Sequence, residues 1–244
     1  MKKSLYIVTG SSKGLGKALV EQLTAQEHNF VIGIARSSMK AKINFVPIEL
    51  DLADTGRLIN QLDGIFPQGD YQRIILINNA GWIGEIAPLG QLDPAGIHKI
   101  QAVNVIAPAL LMNEFVKKYR HVEGEKMVVN ISSGAAAKAI DGWSGYCSSK
   151  AALNQLSMVA EEESVVRGWG IKYYALSPGI IDTSMQEEIR SASQENFSNI
   201  DKFRSYKSQN QLSIPEDVAR KVIHMINHPE QFWDVLQDVR EFDQ

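Results

Sequence analysis

The sequence predicts an α/β protein, a single doubly wound, Rossmann-type domain whose mostly parallel sheet carries helices on both faces. Three observations predict it. Short apolar runs rich in strand-forming residues alternate with runs whose apolar positions recur at helical spacing. The strand runs are apolar nearly throughout, as parallel strands covered on both faces must be. A glycine-rich turn, "TGSSKGLG", joins the first strand to the first helix, which is where such sheets take up phosphate groups.

The elements follow in order. "SLYIVTG" reads as the first strand, and "LGKALVEQLTAQ", with Leu15, Ala18, Leu19 and Leu23 on one face, as the first helix. "FVIGIAR" and "INFVPIELD" are the second and third strands, "TGRLINQLDGIF" a helix, and "RIILINNAG" a strongly apolar strand ending in a turn. Helices follow across 93–120, then the strand "KMVVNISS", a long helix from about Gly145 to Arg167, and the strand "IKYYALSPG". Residues 182–212 are polar without a strand pattern, an excursion that is either a lid ordering on binding or an inert insertion. "PEDVARKVIHMINH" is a helix with Pro215 near its start and acids in its first turn. "FWDVLQDVREF" supplies a last short strand. With no linker and no internal repeat, 1–244 is read as one domain.

Composition narrows the function. The chain has 244 residues, 44% of them hydrophobic and 22% charged, as in ordinary soluble domains, and a net charge of −3. That balance offers no basic field for nucleic acid or an anionic membrane. No apolar run approaches the ~18 residues of a spanning helix, and "SLYIVTG" is too short for the core of a leader. Cys147 is the only cysteine, which excludes an internal disulfide and points to a reducing compartment. A cytoplasmic protein without nucleic-acid or membrane partners is expected. The five histidines are scattered singly, so no catalytic metal is expected.

The turn places Gly10, Gly14 and Gly16 in a GxxxGxG spacing. Glycine lets a phosphate approach the backbone, and the free N–H groups of the helix start receive it. Lys13 lies inside the loop, and Arg36 ends the second strand, with Ser37 after it. An acid there would bond the 2′-hydroxyl of NAD, whereas a cation suits a 2′-phosphate, so NADP(H) is the expected cofactor. Asp51 is either an acceptor for the adenine amino group or the cap of the following helix.

Four polar residues carry the expected chemistry. Ser133 follows a strand, Tyr146 comes thirteen residues later, and Lys150 four after that, one helical turn along the same face. Asn104 lies within the helical stretch "QAVNVIAP". Bland readings exist: Ser133 as a turn cap, Tyr146 as a core aromatic with a satisfied hydroxyl, Asn104 bonding its own helix backbone. The chemical reading is hydride transfer to a ketone, which builds negative charge on the carbonyl oxygen and requires a donor and a proton there. Tyr146 is the expected acid, its pKa lowered by the Lys150 ammonium; Ser133 holds the oxygen, and Asn104 anchors a water that reprotonates Lys150.

Taken together, "TGSSKGLG", "LD" at 50–51, "NNAG" at 78–81, Asn104, the Ser133…Tyr146-Cys-Ser-Ser-Lys150 set and "SPG" at 177–179 resemble the short-chain dehydrogenase/reductase family over nearly the whole chain. Within it, "SPGIIDTSMQ" is similar to the sepiapterin reductase and bacterial benzil reductase group. The resemblance implies Ser133, Tyr146, Lys150 and Asn104 as the catalytic group. It implies a cofactor site of Gly10, Ser12, Lys13, Gly14, Leu15, Gly16, Arg36, Ser37, Asp51, Leu52, Asn79, Ala80, Gly81, Tyr146, Lys150, Pro178, Gly179, Ile181 and Thr183. It also implies a homodimer or homotetramer packed through helices 104–120 and 145–169. One departure stands out: Arg240, in "VREFD", falls where sepiapterin reductases anchor the pterin with an aspartate, with Asp238 and Glu241 as possible substitutes.

The substrate is expected between the catalytic group and the excursion, against Ser133, Trp143, Tyr146, Met185 and Gln186, with Trp82, Ile83, Ala135 and Ile140 as further walls. Aromatic and methionine side chains suit a flat, partly apolar carbonyl compound, a ketone or diketone. The competing functions are an NADP-dependent alcohol dehydrogenase working in the oxidative direction and a non-catalytic NADP-binding sensor. A nucleophilic role for Cys147 is not expected, since no histidine lies near it in sequence.

Overall fold

The computed structural model describes residues 3–242. Seven strands form one parallel sheet in the order β3-β2-β1-β4-β5-β6-β7. They are β1 Lys3–Thr9, β2 Asn29–Ala35, β3 Phe45–Glu49, β4 Tyr71–Asn78, β5 Glu125–Ile131, β6 Ile171–Ser177 and β7 Leu236–Asp238. All the pairings are parallel. The chain winds outward from β1 through β2 to β3, then returns to lay β4 against the other side of β1. That reversal opens a crevice over the carboxyl ends of β1 and β4, the usual ligand position in open α/β sheets.

The helices are α1 Gly14–Thr24, α2 Thr55–Ile65, α3 Pro94–Gln101, α4 Ala107–Tyr119, α5 Ser144–Arg167, α6 Ser184–Ser191, α7 Ile200–Ser208 and α8 Pro215–Asn227. Successive strand residues face opposite sides. Tyr6 and Val8 join Leu19 of α1 and Val222 of α8 in one core layer, while Leu5 and Ile7 join Leu58 of α2 and Leu111 and Phe115 of α4 in the other. Both layers are apolar, which is why the strands carry no polar alternation.

Between α3 and α4 the helix continues through a π turn, Ala102–Ile106, so 94–119 is one rod. Its length and mean hydropathy would suit a spanning segment, which the count of uninterrupted apolar residues does not reveal. Ala107, Leu111, Met112 and Phe115 are buried in the fold. Local signals set the helix ends: Asp54 accepts a bond from the Arg57 amide at α2, Asp93 caps α3 ahead of Pro94, and α5 stops at Gly168 in the left-handed region, φ +64°. The excursion folds as two helices, α6 and α7, and the last short strand is β7.

Candidate active site

A cavity of about 870 Å³ runs across the carboxyl ends of the strands. The glycine turn forms its floor at one end. Gly10 has φ +67°, and a Cβ on Gly16 would lie 2.2 Å from the Gly10 carbonyl oxygen. Only glycine at both positions lets the loop close onto α1. Asn79 ties the loop to β4: its Nδ2 donates to the Thr9 carbonyl at 2.9 Å, while the Ala80 amide donates to Thr9 Oγ1 at 2.9 Å.

Most residues expected at a cofactor line this cavity: Gly10, Ser12, Lys13, Gly14, Leu15, Arg36, Ser37, Asp51, Leu52, Asn79, Ala80, Gly81, Pro178, Gly179, Ile181 and Thr183. Gly16 lies beneath the loop and acts through its missing side chain. Two local contacts refine the sequence reading. Lys13 Nζ donates to Ser184 Oγ at 2.8 Å, reaching toward α6. Asp51 is not the cap of the following helix. Its Oδ1 accepts from the Ala53 amide at 2.9 Å, and Asp54, three residues on, takes the capping position because the chain makes a turn first.

Ser133, Tyr146 and Lys150 meet at the other end of the cavity. Tyr146 and Lys150 lie one turn apart on α5, and Ser133 follows β5 at the start of a 3₁₀ turn, Gly134–Ala137. Ser133 lies near enough to the Tyr146 hydroxyl to favour its ionised form, and its Oγ accepts from the Ala135 amide at 3.1 Å. Ser133 therefore caps its turn as the bland reading has it, without either group leaving the cavity. Lys150, 3% exposed, donates to the Ile131 carbonyl at 2.7 Å.

Asn104 stands behind this group, fully buried. It does not bond its own helix backbone. Its Oδ1 accepts from the Trp82 amide at 2.9 Å, and its Nδ2 donates to the Trp82 carbonyl at 2.9 Å and to Ser149 Oγ at 3.0 Å. It thereby fixes the turn after β4, beside Gly81, which a Cβ would bring within 3.6 Å of Lys150 Nζ.

Burial dominates the protonation states. It pushes the Tyr146 phenol up to about 12, against the lowering effect of Ser133. The expected lowering by the neighbouring ammonium does not control the site: Lys150 Nζ is turned to the Ile131 carbonyl, 5.8 Å from the centre of the tyrosine ring. Desolvation in turn pushes Lys150 down to about 8. Burial also raises the Cys147 thiol, which opposes a nucleophilic role.

The Lys150 value has a consequence for stability. An unfolded lysine titrates near 10.4, so between about 8 and that value the unfolded chain binds more protons than the folded one. Stability should rise with pH across this window. Lys150's contribution is complete above the unfolded pKa and is lost as pH falls through about 8. Urea denaturation at points between about pH 7.5 and pH 10 should show a steeper rise for the native protein than for Lys150→Met. Parallel curves would contradict the buried amine.

Around this end lie Trp82, Ile83, Ala135, Ile140, Trp143, Met185 and Gln186, all anticipated. The excursion is thus part of the wall. Arg240, the departure noted in the sequence, also lines the cavity, and the unanticipated wall residues include Lys138, Phe203 and Tyr206. Trp143 stacks on Phe197 at 5.3 Å and meets Phe203 at 5.2 Å, and Phe203 meets Tyr206 edge-on at 5.6 Å. The only sequence signal for the last pair was their spacing of three on one helix face.

Comparison with known proteins agrees with this arrangement. The short chain dehydrogenase family profile matches residues 4–194. A benzil reductase ((S)-benzoin forming) of Bacillus subtilis is 32% identical, over 98% of this chain and 99% of its own. Sepiapterin reductase of Bos taurus is 30% identical, over 78% of each chain. The crystal structure of a short chain dehydrogenase/reductase from Saccharomyces cerevisiae superimposes with a TM-score of 0.85 at 25% identity, covering 98% of this chain and 96% of that one. With its glycine turn, parallel sheet order and Ser–Tyr–Lys cluster in one crevice, the chain belongs to the short-chain dehydrogenase family of oxidoreductases.

Proposed function

We propose that the protein is an NADPH-dependent reductase of aromatic ketones or diketones, with Tyr146 as the general acid. The convergence of Ser133, Tyr146 and Lys150 at one end of a cavity whose other end is the glycine turn carries the reading. The names of the benzil and sepiapterin reductases similar to this chain support the substrate class.

The residues present fit a dinucleotide. The space above Gly10 and Gly16, which side chains would fill, and the start of α1 would hold the pyrophosphate. Arg36, Ser37, Asp51 and Leu52 would hold the adenosine end. Asn79, Gly81, Pro178, Gly179, Ile181 and Thr183 would line the nicotinamide ribose and ring. When bound, the cofactor supplies the hydride.

The chain's own groups do the rest. The Ser133 hydroxyl orients the carbonyl oxygen of the substrate. Tyr146, kept protonated at neutral pH by its burial, is loaded as a donor, and the alkoxide forming on the substrate is the stronger base. The Lys150 ammonium stabilises the tyrosinate left behind and holds the ribose. Asn104 acts on the site by fixing the Trp82 backbone. NADPH consumption, followed by its near-ultraviolet absorbance with benzil, other diketones and sepiapterin, tests the proposal. Tight NADPH binding without turnover of any of them would refute it.

The choice of NADP(H) rests on Arg36, which is exposed on the cavity wall and has no hydrogen-bond partner among the described residues. Arg36→Asp should shift the NADPH-to-NADH ratio of kcat/KM toward NADH by at least ~10-fold, since a charge-assisted phosphate contact is replaced by repulsion. An unchanged ratio would remove Arg36 from cofactor selection.

A further inference from the structure

The substrate end of the cavity has the opposite charge sign to the chain as a whole. The protein carries a net charge of −3. Yet, apart from Lys150, the charged side chains lining that end are Lys99, Lys138, Lys202 and Arg240 against one carboxylate, Glu188. Arg240 is already matched. Its Nε donates to Asp238 Oδ1 at 2.8 Å, its second guanidinium nitrogen bonds the other carboxylate oxygen, and this pairing holds the Asp238 carboxyl below its usual range. The three lysines are not matched.

Lys99 on α3, Lys138 just after the 3₁₀ turn and Lys202 on α7 have no carboxylate within ion-pair distance among the described residues. Lys99 rests over the Trp82 ring, 4.7 Å from its centre. Lys138 acts on Asp238 only through its field. Three separate elements thus bring ammonium groups without an ion-pair partner to the rim of one cleft. The wall beneath them is made of the rings of Trp143, Phe203 and Tyr206. Low-dielectric walls concentrate the field of such a rim. A neutral ligand gains nothing from it, whereas an anionic one is attracted by all three groups.

We propose that the substrate is an aromatic ketone or diketone bearing a carboxylate, with its ring against the aromatic wall and its carboxylate on the lysine rim. This rests on the reductase reading for the reacting carbonyl, but the charge preference is separable from it. The cofactor does not account for these lysines, because its phosphates would lie at the opposite end with Lys13 and Arg36.

The test uses benzil and 4-carboxybenzil with the full-length protein. Two quantities are compared: kcat/KM with NADPH, and affinity for the NADP⁺-loaded protein read from quenching of tryptophan fluorescence, since Trp82 and Trp143 line the cavity. At ~20 mM salt the carboxylated compound should be favoured by about tenfold, and the preference should collapse at ~500 mM, where exposed charges are screened. In the Lys99→Gln/Lys138→Gln/Lys202→Gln triple variant the ratio should approach one. Equal affinity and equal kcat/KM at low salt, or a preference that survives in the variant, would overturn the proposal. If neither compound turned over, the reductase reading would fail. The fluorescence ratio would still decide the charge preference, with unequal affinities sustaining it and equal ones overturning it.

Discussion

Tyr146→Phe is expected to reduce kcat roughly 10²- to 10⁴-fold, the range for losing a positioned acid, while NADPH affinity stays nearly unchanged. The substitution removes one oxygen and keeps the ring, which packs edge-on against Trp143 at 5.5 Å. Ser133 keeps its bond from the Ala135 amide, so the turn that carries it should not move. The loss should therefore be confined to the chemical step. Single-turnover kinetics with saturating diketone, alongside a fluorescence titration of NADPH, would separate the two effects. Retention of most of the single-turnover rate would mean that the proton comes from elsewhere, with water reached through the open side of the cavity as the first candidate.

Gly16→Ala is expected to damage both the fold and the cofactor site. Its Cβ would lie 2.2 Å from the Gly10 oxygen, 2.5 Å from Asn79 Nδ2 and 2.8 Å from the Gly10 carbonyl carbon. Two of these three atoms are backbone and cannot rotate away. Either α1 moves off the loop or the loop opens, and both disturb the place where a pyrophosphate would sit. Overpacking of this kind costs about 1–3 kcal/mol, and NADPH affinity should fall by at least ~10-fold. Gly64→Ala is the matched control. Nothing lies within 4 Å of a Cβ there, and the residue is within α2, so the same methyl group should stabilise by roughly 0.5–1 kcal/mol. Urea denaturation of both variants and NADPH titration of the first would check the pair. A Gly16→Ala protein as stable as the native one and still binding NADPH would show that the loop tolerates what its spacing forbids.

The fold was legible because its determinants are local. Leu5 to Val8 are buried in unbroken succession, and an unbroken apolar run is what a strand covered on both faces looks like in sequence. The glycine turn and the four-residue interval from Tyr146 to Lys150 were legible for the same reason: short-range geometry fixes them. What could not be read depends on distant partners. The aromatic layer of Trp143, Phe197 and Phe203 joins residues some sixty positions apart in the chain, and α6 and α7 are short polar helices whose order comes from Phe197 and Ile200 buried beneath them. The direction of the Tyr146 shift was missed because spacing reports a nearby cation but not depth, and depth decides it. Asn104 stands out in the sequence, yet its partner, the Trp82 backbone, is twenty-two positions away and invisible to helical periodicity.

The π turn at Ala102–Ile106 works as a phase adjustment. A widened turn inserts roughly one residue into a helix, which rotates everything downstream by about 100° relative to an uninterrupted α-helix. Upstream of it the rod meets the site through Ile100; downstream it presents Ala107, Leu111 and Phe115 to the sheet. Straightened to a uniform pitch, the same rod would satisfy only one of these two contacts: with the core seated, Asn104 would swing off the Trp82 backbone. A single surplus residue thus reconciles the angular demands of packing with those of chemistry.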